Sequence, residues 1–258
     1  MRSLWTVVGC GLIEVAAACS TSPPPDLKEI VALSVKAMGG NAALDGIESV
    51  FRQRNEHTFT LRKRPHFHLV VLLNEEGGVR YAEGYDGQVA WEILDDGPKV
   101  RVSERAQVAL WHTTQFPGVL RPLSKMEDLG HEIRLAGMAT LGSVEYYRIL
   151  LRLSDGFERE YYLNARTYRV ERARDARRLH AYENDIQPIE SVWSDFRQVD
   201  GVWVPFTTGE VNFETGEPLS GGTMLDIRTN VEVPVEVFGL EGSLQPFLDV
   251  ISGLRRKE

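Results

Sequence analysis

Ile189-Glu190-Ser191-Val192-Trp193-Ser194-Asp195-Phe196-Arg197-Gln198-Val199 runs into Asp200-Gly201 and leaves through Val202-Trp203-Val204-Pro205-Phe206. β-Branched and aromatic residues approach an Asp-Gly pair and continue beyond it. Asp-Gly is the pair that accepts the positive φ angles a two-residue hairpin turn requires. The same device occurs twice more. Val79 to Tyr85 meets Asp86-Gly87 and returns through Val89, Trp91 and Ile93, and Val144 to Leu153 meets Asp155-Gly156 and returns through Phe157 to Leu163. Hairpins in sequence order indicate an antiparallel meander.

Outward from these hairpins, the period of two persists. Ser49 to Leu61 reads as one alternating run with Phe51, Phe59 and Leu61 on one face and Arg52, Arg54, Glu56 and Thr58 on the other. Arg62-Lys63-Arg64-Pro65 turns the chain, Phe67, Leu69, Val71 and Leu73 continue it, and Glu76-Gly77-Gly78 turns it again. Tyr168 to Arg174 is a further strand and Met224 to Val231 the last. Helical spacing appears in three places. Asp26 caps a run of Leu27, Ile30, Val31, Ser34 and Met38 that stops at Gly39-Gly40; Ala106 to Trp111 is the second; Leu240, Leu244, Phe247, Leu248, Ile251 and Leu254, closed by Arg255-Arg256-Lys257, is the third. Basic residues there suit the negative end of a helix dipole. Because they are grouped at one end rather than spread along a face, that helix is expected to pack on the sheet rather than lie on a membrane. The expected fold is mainly β with α: a single curved antiparallel sheet forming an incomplete β-barrel, its hollow face covered by helices.

The amino terminus is an address. Met1-Arg2, an apolar run from Leu4 to Val15 and Ala16-Ala17-Ala18 have the parts of a secretory signal, and Cys19 stands where a bacterial lipoprotein is acylated. The apolar run is shorter than the roughly 20 residues that span a bilayer. Glu14 within it weakens the signal, and Ser20-Thr21-Ser22-Pro23-Pro24-Pro25 forms an extended tether reaching roughly 20 Å. The expected organisation is therefore a signal peptide over 1–18, a tether over 19–25 and one half-barrel domain over 26–258 that includes the C-terminal helix. The two cysteines, Cys10 and Cys19, both fall in the leader, so a core without disulfides must carry the fold.

Net charge of −8 argues against nucleic acid and against broad adhesion to anionic lipid. The chemistry-bearing motifs are sparse. His66 and His68 are two apart with His57 on the preceding run, a spacing that suits two metal ligands, but Arg62, Lys63 and Arg64 precede them and no carboxylate is near in sequence. No phosphate-cradling glycine loop, G-x-S-x-G or H-E-x-x-H is present, and no cofactor is implied. Large apolar side chains are plentiful. Phe51, Phe59, Phe67, Leu69, Trp91, Tyr146 and Trp193, with Trp111 and Phe116 from a segment suited to a lid, are candidate walls of a cavity for an acyl chain.

Ala37-Met38-Gly39-Gly40 with Leu44 and Ile47-Glu48-Ser49-Val50, Gly84-Tyr85-Asp86-Gly87 with Trp91, Tyr161-Tyr162-Leu163-Asn164 with Thr167-Tyr168-Arg169-Val170, and Ser194 to Phe206 resemble, in this order, the LolA/LolB-like superfamily of outer-membrane lipoprotein-sorting proteins. The resemblance implies a periplasmic half-barrel lidded by helices, with a hydrophobic cavity for lipid moieties and no catalysed reaction. It implies as partners a lipid or lipoprotein acyl chain, a membrane through Cys19 and an envelope protein. The short tether favours a receiver or sensor over a shuttle, on the outer membrane if Ser20 follows the enterobacterial sorting rule. The rival readings are a scaffold acting by protein contact and an enzyme on lipid or glycan. The enzyme would need polar groups converging inside the cavity, such as an inward His57 with carboxylates.

Overall fold

Asp26 accepts a hydrogen bond from the Glu29 N–H at 2.9 Å and starts helix α1 (Leu27–Ala37), whose Ile30, Val31, Ser34 and Val35 are buried. The computed structural model describes residues 25–179 and 185–255. The signal segment, Cys19, the tether up to Pro24, His180 and the final Arg256-Lys257-Glu258 lie outside those residues. After α1 a short helix α2 (Asn41–Asp45) adds a turn beyond the expected stop at Gly39-Gly40.

Six strands follow: β1 (Ser49–Gln53), β2 (Thr58–Lys63), β3 (Phe67–Leu73), β4 (Val79–Tyr85), β5 (Ala90–Leu94) and the short β6 (Val100–Arg101). The run expected as one strand from Ser49 to Leu61 is instead a hairpin turning at Arg54 to His57. An even number of turn residues keeps the alternation in phase, so Phe51 lies opposite Leu61 and Gln53 opposite Phe59 on one face. Helix α3 (Glu104–Gln115), capped by Ser103, crosses from this group to the next. The second group is β7 (Glu132–Leu141), β8 (Val144–Arg152), β9 (Glu158–Asn164), β10 (Val170–Arg177), β11 (Gln187–Val199), β12 (Val202–Asn212) and β13 (Pro218–Thr223), followed by β14 (Asp226–Thr229) and helix α4 (Gln245–Arg255). β13 was not expected, because Pro218-Leu219-Ser220-Gly221-Gly222-Thr223 has no alternation and two glycines.

The single sheet expected from sequence is built as two seven-stranded antiparallel sheets, ordered β14-β1-β2-β3-β4-β5-β6 and β13-β12-β11-β10-β9-β8-β7. They share one strand-like passage. β13 runs on into β14 through Met224-Leu225, where the Met224 N–H donates to Phe206 O at 2.7 Å and the Leu225 N–H donates to Gln53 O at 2.8 Å. The edge strands β6 and β7 have β5 and β8 as their strand partners, so the curve does not close.

α1 is fixed against the second sheet at its carboxyl end. A Cβ on Gly39, at φ +123°, would stand 2.4 Å from Gly201 O, so only glycine permits the approach. The Trp203 N–H donates to Met38 O at 3.0 Å, and Arg169, 4.0 Å over the Trp203 ring, reaches Ala37 O at 3.5 Å. A cation thus meets the carbonyl end of the helix, where its dipole is negative.

Candidate functional site

Alternation gives the first sheet two faces of different character. On one, Phe51, Phe59, Leu61, Leu69, Val71, Trp91 and Ile93 are buried with Val237, Phe238, Leu244, Phe247 and Ile251, so α4 and the turn before it cover that face. Phe51 meets Phe247 edge-on at 6.2 Å, and the Trp91 Nε1–H donates to Phe238 O at 2.7 Å. Of the candidate cavity walls, Phe51, Phe59, Leu69 and Trp91 lie in this filled layer, and Phe67 stacks on Phe238 at 5.0 Å at its margin. Trp111, Phe116 and Trp193 come together elsewhere, over the inner cluster of the second sheet that contains Ile30, Val31, Tyr147, Ile149 and Leu151. Tyr146 points to the opposite side of β8 from Tyr147, where its hydroxyl donates to Glu171 at 3.1 Å.

The other face of the first sheet is polar and turned toward the second sheet. Register sets two rows across it: Val50, Arg62, His68, Tyr85 and Ala90 form one, and Arg52, Thr60, Val70, Glu83 and Glu92 the next. Burial, then the neighbouring guanidinium groups of Arg52, Arg121 and Arg159, push the Arg62 pKa down to about 9 against an opposing pull from Glu83. Among the described residues the buried Arg62 Nε has no hydrogen-bond partner. His68 is held below its ordinary value chiefly by burial, although its Nε2 lies 3.6 Å from Glu83.

The segment after α3 lies over these groups. Gly118 and Arg121 exchange backbone hydrogen bonds at 2.8 and 3.2 Å, which makes a tight loop with Val119 and Leu120 at its tip. Arg121 donates to His66 Nδ1 at 2.9 Å, so that nitrogen is an acceptor and the imidazole is neutral. Burial first, then Arg121, also lower the His66 pKa. Burial, reinforced by Arg64, brings Arg121 down to about 10. Beneath the loop is a cavity of about 40 Å³ whose walls include Val50, Arg52, Arg62, Phe116, Leu120 and Arg121.

On the facing sheet, Arg159 donates to Ser191 Oγ at 2.7 Å, pairs with Asp175 at 3.1 Å and stacks 4.1 Å over Phe116. Arg177 continues the chain of charges from Asp175, at 3.2 Å, to Glu210, which accepts from the Ser220 hydroxyl at 2.8 Å. Each of these cations has a carboxylate at ion-pair distance. Outside the hollow, His112 on α3 meets Asp155 of the β8–β9 turn at 2.6 Å. A groove of about 340 Å³ on the β7 side is lined by Glu127, His131, Glu132, Arg134, Arg152 and Glu158, of mixed charge. His57 sits in the β1–β2 turn. Among the described residues no three His, Cys, Asp or Glu side chains are placed to hold a metal ion.

Sequence reasoning missed the inward arginines because alternation assigns Arg52 to the face opposite Phe51 without saying what covers it, and because Arg62, read as part of a polar turn, lies instead within β2. The apolar loop Phe116 to Leu120 was the available signal that this face is covered too.

No protein-family model matches the chain, and no curated protein matches it in sequence. Solved structures do match in shape. A DUF1329 family protein from Desulfovibrio piger superposes with a TM-score of 0.55 at 13% identity, covering 83% of this chain and 98% of that one. A LolA superfamily protein from Nitrosomonas europaea gives 0.52 at 12% identity over 84% and 98%. At such identity the likeness is one of fold: the chain has a LolA/LolB-like fold, two antiparallel sheets not closed into a barrel.

Proposed function

We propose that the chain binds an acyl chain, of a lipid or of a lipoprotein, on the inner face of its open sheet, facing the periplasm from a bacterial envelope membrane to which a lipidated Cys19 ties it. The observation that carries this reading is the apolar loop Phe116 to Leu120, lying over the inner face of a sheet whose edges β6 and β7 do not meet. Trp111, Phe116 and Trp193 are the candidate walls that this reading retains. The role is binding rather than catalysis.

The cavity beneath the loop holds about 40 Å³, far less than the roughly 300–1,000 Å³ of small-molecule pockets. An acyl chain therefore enters by displacing the loop and Trp111, and takes over the apolar surface they cover. Each buried CH₂ contributes about 0.8 kcal/mol toward that exchange. Native mass spectrometry of the purified full-length chain is expected to show lipid adducts, and a fluorescent fatty acid is expected to bind saturably. Replacing Leu120 by Asp is expected to weaken that binding about tenfold or more, because a carboxylate then takes the place of buried apolar area. A chain with neither adduct nor saturable binding sinks the proposal. Mass analysis of the mature N-terminus tests the tether, since an unacylated Cys19 removes it.

One observation favours a second reading, contact with an envelope protein. β7 is ten residues long, has β8 as its strand partner and exposes Leu135 and Met138. Such an edge accepts an added strand. This reading predicts a partner lost on Met138→Lys while lipid binding is unchanged.

A further inference from the structure

The cavity under the loop is small and apolar on one side, yet its charge is of a single sign. Arg52, Arg62, Lys63 and Arg121 line it, and among the described residues no carboxylate does. Cations brought together out of water repel one another and lose hydration, which a protein ordinarily offsets with counter-ions or hydrogen bonds. On the facing sheet the charge is offset, since Arg159 and Arg177 share Asp175 and Arg177 also holds Glu210, although the Nε atoms of Arg159 and Arg177, like that of Arg62, are buried without a hydrogen bond. Beside the cavity it is offset only in part. Glu83 attracts Arg62 from the next row of the sheet but also accepts from the Tyr81 hydroxyl at 2.7 Å, and the buried Arg62 Nε has no acceptor among the described residues. His66 and His68 border the group and are both kept toward the neutral form; an imidazole in any case cannot serve as a counter-ion to a guanidinium.

We propose that Arg52, Arg62 and Arg121 form the head-group site of an anionic amphiphile, whose carboxylate or phosphate takes the cavity while its hydrocarbon tail follows Phe116, Val119 and Leu120. This rests on the acyl-binding reading above and deepens it. About 40 Å³ corresponds to roughly three waters at about 10–15 Å³ each, the scale of a carboxylate or phosphate group and not of a tail. Guanidinium groups match the forked geometry of such oxyanions and hold them bidentately. Placement agrees with the chemistry. Arg52 and Arg62 are diagonal neighbours on adjacent rigid strands, whereas Arg121 rides on the loop that must move for a ligand to enter. An anion arriving between them ties the loop back down, so head-group binding and loop closure reinforce each other. Burial first, then neighbouring guanidinium groups (Arg52, Arg121 and Arg159 around Arg62, and Arg64 beside Arg121), lowers the pKa of both Arg62 and Arg121.

Four probes separate head from tail: laurate, dodecyl phosphate, 1-dodecanol and inorganic phosphate, each titrated into the full-length chain against a fluorescent fatty acid. Laurate and dodecyl phosphate are expected to bind about tenfold tighter than 1-dodecanol, the gain of one charge-assisted contact. Arg62→Met and Arg121→Gln are each expected to remove most of that difference and to leave 1-dodecanol within about twofold. Arg197→Gln, on an exposed hairpin, leaves all four unchanged. Circular dichroism establishes that the variants fold, and Arg121, on the loop, is the alternative if Arg62→Met does not. Equal affinity for laurate and 1-dodecanol overturns the head-group site while sparing acyl binding. Binding of no dodecyl probe takes down both. Inorganic phosphate competing as well as dodecyl phosphate overturns the amphiphile in favour of a free oxyanion.

Discussion

At Gly84, the absence of one carbon lets two strands close. A Cβ there would lie 2.3 Å from Trp91 Cζ2, and the ring has no freedom to retreat because its Nε1–H is tied to Phe238 O. The Gly84-Tyr85-Asp86-Gly87 motif with Trp91 thus has a physical content: glycine for the indole, and an Asp86 carboxylate that accepts from the Gln88 and Val89 N–H groups at 2.9 and 2.7 Å to shape the turn. Gly84→Ala is expected to destabilise the chain by about 1–3 kcal/mol, read as a lower urea midpoint with an unchanged m value. An unaltered midpoint means that the indole can move after all. Arg62 presents the opposite case, a side chain kept at a cost. Replacing a buried, incompletely compensated cation with an apolar group of similar length removes desolvation and repulsion. Arg62→Met is therefore expected to stabilise the unliganded chain by about 1 kcal/mol, or ~2–4 °C in Tm at this size. A fall in Tm would show that Glu83 compensates Arg62 fully.

Among the elements, strands β9 to β13 are stitched on their inner face by charge as well as by the apolar contacts of Tyr161, Leu163 and Ala173. Arg159, Asp175, Arg177 and Glu210 alternate in sign across them, and Ser220 ends the row. Burial alone would raise the Glu210 carboxyl, but Arg177 beside it and the Ser220 hydroxyl hold it below the usual carboxylate range. A carboxylate that is more acidic folded than unfolded contributes its full stabilisation above the unfolded value of about 4.3, and loses it as pH falls through the folded one. Glu210→Gln is expected to cost about 2 kcal/mol near neutrality and to flatten the acid limb of a Tm-against-pH curve. An acid limb as steep as in the parent would mean that other carboxylates carry it. The elements themselves were largely legible. Asp-Gly pairs mark all three hairpins, although only Asp200-Gly201 makes the expected two-residue turn with both residues at positive φ; at Asp86-Gly87 and Asp155-Gly156 the loop is longer and only the glycine has positive φ. α1 announces itself by a cap and a spaced apolar face. The turn at Arg54 to His57 was hidden because it preserves the alternation it interrupts, and β13 because a glycine-rich edge strand has no pattern to read. The site was less legible than the elements. Phe51 and Trp91 look the same in sequence whether a helix or a ligand covers them, and α4, which does cover them, is separated from them by about 150 residues or more.

For the whole molecule, the decisive feature is how the two sheets are joined, since a hollow that opens for a ligand needs walls that do not separate. The covalent and hydrogen-bonded link is Met224-Leu225, with one N–H given to each sheet, to Phe206 O and to Gln53 O. Around it Val50, Val202, Val204, Phe206, Met224 and Ile227 are buried together with Val35, Leu44 and Ile47 of the helical layer, and Gly39 lies against Gly201 to bring that layer in. Stretches that carry the resemblance, Ala37 to Gly40 with Leu44, Ile47 to Val50 and Ser194 to Phe206, therefore contribute to this one junction, far apart in sequence and adjacent in space. If the junction makes the two sheets one cooperative unit, weakening it uncouples them. Leu225→Pro removes the N–H given to Gln53 and is expected to cost more than about 1 kcal/mol. The further expectation is qualitative. In native-state hydrogen exchange the parent should protect β2–β3 and β8–β9 with the same opening free energy, whereas the variant should show two, with the first sheet opening below the second. The second sheet keeps its own cluster with α1 and the charge row across β9 to β13, whereas the first retains α4 and the small contact of Leu110 on α3 with Tyr85 and Ala90. A variant that exchanges as a single unit at the parent's free energy would place the coupling elsewhere, in the loop and α3 that bridge the sheets on the other side.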